Sequence, residues 1–123
     1  MKILVVDDER DVELLFRQRF RREIRGGEIE LLFAFSGEEA LSVLDDNGRA
    51  DIVLVLSDIN MPGMTGLELL SRIKSEPPPV PVCMMTAYEN ETFRAQAAAN
   101  ACDGYLTKPV DFKELKERIR ELA

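Results

Sequence analysis

Short runs of apolar, often β-branched residues alternate five times with segments of helical periodicity along this chain of 123 residues. Such runs are typical of strands that are covered on both faces of a parallel sheet. We predict strands at residues 3–6, 30–35, 52–56, 80–85 and 105–107. The alternation predicts one α/β domain, residues 1–123, in which helices flank both faces of five parallel strands in a doubly wound, three-layer arrangement.

The predicted helices are indicated by apolar residues at intervals of three and four. One continuous helix is expected over residues 11–25, and others at about 36–46, 67–73, 92–101 and 112–122. Ser36 with Glu39, and Asp111 with Glu114, form capping patterns that open the second and the last of these helices.

The charge and the reactive residues exclude several functions. The chain has 23 acidic and 16 basic residues and a formal net charge of −7, so direct binding of nucleic acid is not expected. It has no histidine, and Cys83 and Cys102 lie far apart, which excludes imidazole-based triads and most transition-metal sites. Because a signal peptide and a membrane-spanning run are not recognised, we expect a cytoplasmic protein without a membrane partner.

Polar residues of complementary charge follow four of the five predicted strands: Asp7 and Asp8, then Asp58, Thr86 and Lys108. Ligands of open α/β sheets bind outside the carboxyl ends of the strands. Each residue alone could be a helix cap, a turn hydroxyl or a solvated lysine. Together, three carboxylates in one shallow pocket require a cation, and oxygen ligands without imidazole or thiolate favour Mg²⁺ or a similar ion.

These residues and their neighbours resemble the receiver domains of response regulators in two-component signal transduction. The similar motifs are Asp7-Asp8, the sequence SDINMPG at residues 57–63, Thr86-Ala87, and the sequence YLTKP at residues 105–109. The resemblance covers essentially the whole chain. It implies a flavodoxin-like strand order of 2-1-3-4-5, as in the chemotaxis regulator of that family.

The resemblance implies that Asp58 accepts a phosphoryl group from a partner histidine kinase or phosphotransfer protein. It also implies that Mg²⁺, or alternatively Mn²⁺, is held by Asp8, by Asp58 and by the backbone carbonyl of Asn60, with Asp7 acting through a bound water. Such a domain catalyses only its own phosphorylation and dephosphorylation, so it is not expected to be an enzyme acting on other substrates.

Further roles around the phosphoryl group are implied by the same resemblance. Lys108 would neutralise a phosphoryl oxygen, and the backbones of Ala87 and Asn60 would contact the group. Asn60 and Tyr88 would flank it at positions that tune its hydrolysis. The peptide bond between Lys108 and Pro109 would be cis.

Two residues resemble the pair that reports phosphorylation in this family. Thr86 is similar to the switch hydroxyl, and Tyr105 to the aromatic residue that turns inward when that hydroxyl moves. The surface formed by the fourth predicted helix, the fifth strand and the last helix would change as a result. Alternatively, Tyr105 is an ordinary strand residue whose hydroxyl group lies at the protein surface.

Partner binding is the least determined feature of the sequence. The first predicted helix is rich in arginine, at positions Arg17, Arg19, Arg21, Arg22 and Arg25. These residues are either a solvated face or, because the helix docks the kinase in the family, determinants of partner specificity. The output is either a downstream protein target or an output domain beyond Ala123.

Three other functions fit part of the pattern. A magnesium-dependent aspartyl phosphohydrolase usually has its aspartates as D-x-D on the first strand, whereas Asp7 and Asp8 are adjacent. A flavodoxin-like cofactor binder needs a phosphate-binding loop after that strand, where Asp7, Asp8 and Glu9 would repel phosphate. An interaction module that is never phosphorylated would leave the complete set of site residues unused.

Overall fold

The computed structural model of the chain describes residues 1–87, 91–99 and 102–122. Five strands form one parallel sheet in the order β2-β1-β3-β4-β5. The strands are β1 Lys2–Val6, β2 Glu30–Ala34, β3 Ile52–Asp58, β4 Val82–Thr86 and β5 Gly104–Thr107. The predicted doubly wound fold with strand order 2-1-3-4-5 is therefore confirmed.

The described residues form six α-helices and one short 3₁₀ turn, Arg49–Asp51. The helices are α1 Asp11–Arg19, α2 Arg21–Arg25, α3 Gly37–Asn47, α4 Gly66–Lys74, α5 Glu91–Ala99 and α6 Phe112–Leu122. The end of the fourth predicted helix, residues 100–101, and Tyr88 lie outside the described residues. None of the described helices is long and apolar enough to cross a membrane.

The single helix predicted over residues 11–25 is wrong, because the segment is divided at Phe20. Phe20 has φ −102° and ψ 15°, outside the helical region, although its N–H still donates to the Phe16 carbonyl at 2.9 Å. The Phe20 side chain is fully buried and packs against the rings of Phe16 and Phe112. The division therefore coincides with a residue whose side chain is fully buried in the core.

Alternate residues of each strand enter two separate cores, one on each face of the sheet. In β1, Leu4 and Val6 belong to the core beneath α3, α4 and α5, while Ile3 and Val5 belong to the core beneath α1, α2 and α6. All four side chains are at most 1% exposed. Burial on both faces explains why the strands appear in the sequence as continuous apolar runs.

Side-chain caps fix where three of the helices begin. Ser36 Oγ accepts the Glu39 N–H at 3.1 Å, and Asp111 Oδ1 accepts the N–H groups of Lys113 and Glu114. Both predicted capping patterns are confirmed. Thr65 caps α4 in the same manner, by accepting the Glu68 N–H at 3.2 Å, and this cap was not predicted.

Candidate functional site

Neighbouring strands place three carboxylates together at the carboxyl edge of the sheet. Asp58 is the last residue of β3, and Asp7 directly follows β1, whose Val6 pairs with Ser57. Asp7 is 2% exposed and Asp58 is 7% exposed, whereas Asp8 faces solvent. One carboxylate oxygen from each of the three lies within 4.8 Å of the others. The strand order thus produces the acidic cluster that the sequence predicted.

Lys108 supplies the cation of this cluster from the far edge of the sheet. Its Nζ lies 2.6 Å from Asp7 Oδ2 and 3.5 Å from Asp58 Oδ2. The backbone N–H of Lys108 donates to the Thr86 carbonyl at 2.7 Å, which fixes the main chain there, and the Lys108–Pro109 peptide bond is cis. The sequence predicted this lysine beside the three carboxylates, and the structure shows that its shorter contact is with Asp7.

Burial is the largest influence on the pKa of the Asp58 carboxyl group. Loss of hydration raises the pKa of its carboxyl group, and the nearby charge of Asp7 adds to this increase; Lys108 and the Asn60 N–H oppose it only in part. For Lys108, burial acts against the ammonium ion, but the hydrogen bond to Asp7 and the charge of Asp58 outweigh it and raise the pKa of Lys108. The buried carboxylates of Asp7 and Asp58 therefore both lie next to the ammonium group of Lys108.

The raised pKa of Asp58 predicts a stability that depends on pH. The pKa of the Asp58 carboxyl group is higher in the folded state than in the unfolded state, so ionisation of this group lowers the free energy of unfolding. The loss of stability is absent in acid, where the group is protonated in both states, and it is complete above the pKa of the folded state. In EDTA, we expect Asp58→Asn to be more stable than wild type at pH 7 by about 1 kcal/mol, or roughly 4 °C in Tm. Thermal denaturation measured between pH 3 and pH 8 should show that this gain in stability disappears at pH values below the ordinary pKa of an aspartate side chain. A gain that is constant with pH would contradict the assignment.

Three other predicted residues lie at or just beyond the carboxyl ends of β3 and β4. Thr86 ends β4, pairs with Thr107 and is fully buried. Asn60 and Ala87 lie with Asp58 on the wall of an open cavity of about 930 Å³. The predicted role of Tyr88 lies outside the described residues.

Tyr105 lies on β5 with its ring half-buried against the core of α4 and α5. Its hydroxyl oxygen is buried. The alternative prediction, that Tyr105 is a strand residue with its hydroxyl group at the protein surface, is therefore wrong. The guanidinium carbon of Arg94 in α5 lies 4.7 Å from the centre of the ring, a cation–π contact that the sequence did not indicate. Tyr105 therefore joins the edge strand to the adjacent helix.

Gly66 permits the closest backbone approach near Asp58. Its N–H donates to the Ile59 carbonyl at 2.8 Å, and a Cβ at this position would lie 2.0 Å from the Asp58 carbonyl oxygen. The first residue of α4 is thus packed directly on the loop that leaves β3. This close packing was not predicted, because a glycine after a potential helix cap is a weak signal in a sequence.

The cavity extends beyond the acidic cluster onto an apolar wall. This wall lies between α1 and the start of α6 and consists of Val12, Leu15, Phe16, Val110 and Phe112. A carboxylate that opens into a partly apolar cavity can be reached by a protein side chain as well as by a small molecule. The spacing of apolar residues places Leu15 on the apolar face of the first predicted helix, and in the structure Leu15 is 42% exposed.

The residues present fit a hard divalent cation. The cluster offers carboxylate oxygens from Asp7, Asp8 and Asp58, with neither sulfur nor imidazole, which is the donor set preferred by Mg²⁺. The exposed position of Asp8 leaves one side open for water ligands, which Mg²⁺ usually keeps.

A five-stranded parallel sheet in this order, with three aspartates and a lysine at its carboxyl edge, defines a receiver of the two-component type. Residues 3–120 match the family model of the response regulator receiver domain, and the chain belongs to this family. It is 36% identical over 121 residues to the transcriptional regulatory protein CpxR of Escherichia coli (strain K12), covering 98% of this chain and 48% of that protein. It is 34% identical over 122 residues to the response regulator MprA of Mycobacterium sp. (strain KMS), covering 99% of this chain and 50% of that protein.

Several relatives are thus longer than this chain, which spans about half the length of these curated proteins. Solved structures agree over the full domain. A response regulator of Chloroflexus aurantiacus superimposes with a TM-score of 0.82 at 28% identity, covering 98% of this chain and 95% of that one. The chemotaxis protein CheY4 of Vibrio cholerae superimposes with a TM-score of 0.80 at 26% identity, covering 99% and 98%.

Proposed function

We propose that this domain, residues 1–123, is a phosphoacceptor switch whose acceptor is Asp58. The observation that carries the proposal is the position of the Asp58 carboxylate, which lines an open cavity next to Asp7 and lies 3.5 Å from the Lys108 ammonium group. A buried carboxylate with an adjacent fixed cation is suited to a reaction in which negative charge develops on oxygen. The donor is a phosphohistidine of a histidine kinase or phosphotransfer protein.

In the proposed transfer, an Asp58 carboxylate oxygen attacks the phosphorus atom, and an O–P bond forms. The N–P bond of the phosphohistidine breaks, its electron pair returns to the imidazole nitrogen, and that nitrogen takes a proton from solvent. An ionised carboxylate needs no general base. Lys108 neutralises a phosphoryl oxygen, and the backbones of Asn60 and Ala87 contact the group where they line the cavity.

Asp8, Asp58 and the backbone carbonyl of Asn60 are the proposed ligands of Mg²⁺ or Mn²⁺, with Asp7 acting through a bound water. When bound, this ion offsets the charge of the carboxylates and of the phosphoryl oxygens. Lys108, whose Nζ lies 3.5 Å from Asp58 Oδ2, is positioned to neutralise an oxygen of a phosphoryl group on Asp58.

The proposed readout of phosphorylation uses Thr86 and Tyr105. The Thr86 hydroxyl moves to hydrogen-bond the phosphoryl group, and Tyr105 occupies the space that it leaves, which changes the surface of α5, β5 and α6. The burial of Thr86 and the contact between Arg94 and Tyr105 support this coupling, because a shift of either residue must repack its neighbours.

The proposed partners are the phosphodonor and, for output, a downstream protein target or an output domain in a longer protein. Binding of nucleic acid or of a membrane by this domain is not part of the proposal, and its proposed location is the cytoplasm. The domain acts only on itself and has no turnover of a separate substrate.

Intact-protein mass spectrometry with acetyl phosphate tests this proposal. We expect a mass increase of one phosphoryl group when Mg²⁺ or Mn²⁺ is present, and at least about a tenfold lower yield in EDTA, because the uncompensated carboxylates repel the donor. Hydrolysis of p-nitrophenyl phosphate is expected to stay at background, which separates a switch from a phosphohydrolase. If neither acetyl phosphate nor a phosphorylated kinase labels the protein, the proposed function is wrong.

A further inference from the structure

Helix α4 lies between the loop that carries Asp58 and the start of β5, the strand that carries Tyr105. The amino end of the helix is packed on the loop, because the Gly66 N–H donates to the Ile59 carbonyl at 2.8 Å and a Cβ on Gly66 would collide with the Asp58 carbonyl oxygen. Backbone atoms in such close contact do not move independently. A displacement of the Asp58 loop therefore displaces the amino end of α4.

The carboxyl end of α4 is bound to two other segments through Lys74, its last residue. Lys74 Nζ lies 2.8 Å from the Val80 carbonyl oxygen and 2.7 Å from Asp103 Oδ2. The Lys74 side chain is 20% exposed, which is less than either side chain of the ion pairs within α1 and α6. The ammonium group thus bridges the main chain before β4 and the residue that precedes β5.

Asp103 fixes the start of β5 against β4. Its Oδ2 also accepts the Val82 N–H at 2.8 Å, and its own N–H donates to the Val82 carbonyl at 2.7 Å. Tyr105 follows two residues later in the chain, on the strand that begins directly after Asp103. The carboxylate that Lys74 binds therefore also positions the strand of Tyr105.

The packing of α4 allows a movement at one end to reach the other. Its nine residues span about 13 Å, and the side chains of Leu69, Leu70 and Ile73 are fully buried in the core beneath α3, α4 and α5. Tyr105 packs against the same core. Because a close-packed core has low compressibility and transmits strain, a shift of the helix reaches Lys74 and the Tyr105 ring together.

We propose that Lys74 and Asp103 couple Tyr105 to the phosphoacceptor through α4, as positioning residues of the switch. The inference rests on the proposed function, in which phosphorylation of Asp58 repositions Tyr105. A phosphoryl group changes the contacts of the Asp58 loop, the displaced loop moves α4, and Lys74 transfers the movement to Asp103. This route is separate from the one through Thr86, which lies at the opposite, carboxyl end of the sheet.

Fluorine NMR of the protein labelled with fluorotyrosine measures this coupling. The chain has two tyrosines, so two signals are expected, and Tyr88→Phe assigns them. Beryllofluoride with Mg²⁺ is the probe, because it binds a carboxylate as a stable analogue of a phosphoryl group. In wild type, saturation with this probe should transfer the Tyr105 signal to a second position, and the two populations give an equilibrium constant.

Lys74→Met removes the ammonium group and keeps most of the side chain. At saturation with the probe, we expect the equilibrium constant for Tyr105 to fall at least about fivefold. Asp103→Asn removes the charge but keeps an oxygen that can accept the Val82 N–H, and it should show the same loss. The double variant should lose no more than either single variant, because both changes break one contact. Labelling by acetyl phosphate should stay within about threefold of wild type, since neither residue lines the cavity.

Arg49→Met is the matched control, because Arg49 holds the same end of α4. Its Nη1 donates to the Ile73 carbonyl at 3.1 Å, and its Nη2 lies 3.5 Å from Glu76 Oε2. Arg49 joins the helix to the turn before β3, which does not carry the switch residue. We expect Arg49→Met and Lys74→Met to lose similar stability in urea, whereas the Tyr105 equilibrium of Arg49→Met should stay within about twofold of wild type.

A wild-type response of Tyr105 in both Lys74→Met and Asp103→Asn would overturn the inference. An equal loss of response in Arg49→Met would also overturn it, because general loosening of α4 would then be the cause. A wild-type chain that binds beryllofluoride without a change at Tyr105 would refute the proposed readout. A wild-type chain that neither binds the probe nor accepts phosphate would refute the proposed function, which is a different result.

Discussion

Replacement of Asp58 by asparagine is expected to abolish phosphorylation by acetyl phosphate, with a loss of at least about 100-fold in labelling rate. The amide has nearly the same shape as the carboxylate, but it lacks the charged oxygen that forms the bond to phosphorus. Asp58 is 7% exposed and is bounded by Asp7 and Lys108, so a neighbouring carboxylate cannot take its place without moving. Intact-protein mass, followed by peptide mapping of the labelled residue, measures the effect.

Asp45→Asn is the matched control, because the same chemical change is made on an exposed residue of α3. It should be labelled at the wild-type rate. Since Asp58→Asn is expected to be at least as stable as wild type at neutral pH, unfolding does not provide an alternative explanation for its loss of labelling. Labelling of Asp58→Asn at the wild-type rate would show that the acceptor is another residue.

Gly66→Ala is expected to destabilise the fold by about 3 kcal/mol and to reduce phosphorylation of the remaining folded protein. The new Cβ would lie 2.0 Å from the Asp58 carbonyl oxygen and 2.8 Å from Ile59 Cα. Both are backbone atoms, so the only relief is a movement of α4 or of the loop that carries Asp58. Urea denaturation gives the change in the free energy of unfolding, and the labelling rate reports the position of Asp58.

Gly37→Ala is a matched control, because Gly37 is also the first residue of a helix. Its Cβ would meet the side chain of Met64, with the sulfur at 2.6 Å. A change of rotamer can move the Met64 sulfur and Cγ, so that only Met64 Cβ, 2.9 Å away, must shift slightly, and we expect a cost of about 1 kcal/mol and normal labelling. If Gly66→Ala were no more costly than Gly37→Ala, the close packing of α4 on the β3 loop would be refuted.

The elements of the fold were predictable because each has a local signature. Continuous apolar runs predicted the strands, and the capping patterns at Ser36 and Asp111 placed two helix starts correctly. The division at Phe20 was not predictable, since its side chain fits the helical apolar pattern and only its burial against Phe16 and Phe112 distinguishes it.

By itself, the sequence determined that carboxylates and a lysine follow the strands of a parallel sheet, because the end of an apolar run is visible in any chain. Parallel strands end at one edge, so these residues had to lie near one another. Only the tertiary structure decided that Lys108 lies closer to Asp7 than to Asp58 and that Gly66 supports the Asp58 loop. It also decided that Arg17 stacks on Phe33 and that Arg19 stacks on Phe112. These contacts join segments as far as 101 residues apart, and they depend on packing distances that no local periodicity encodes.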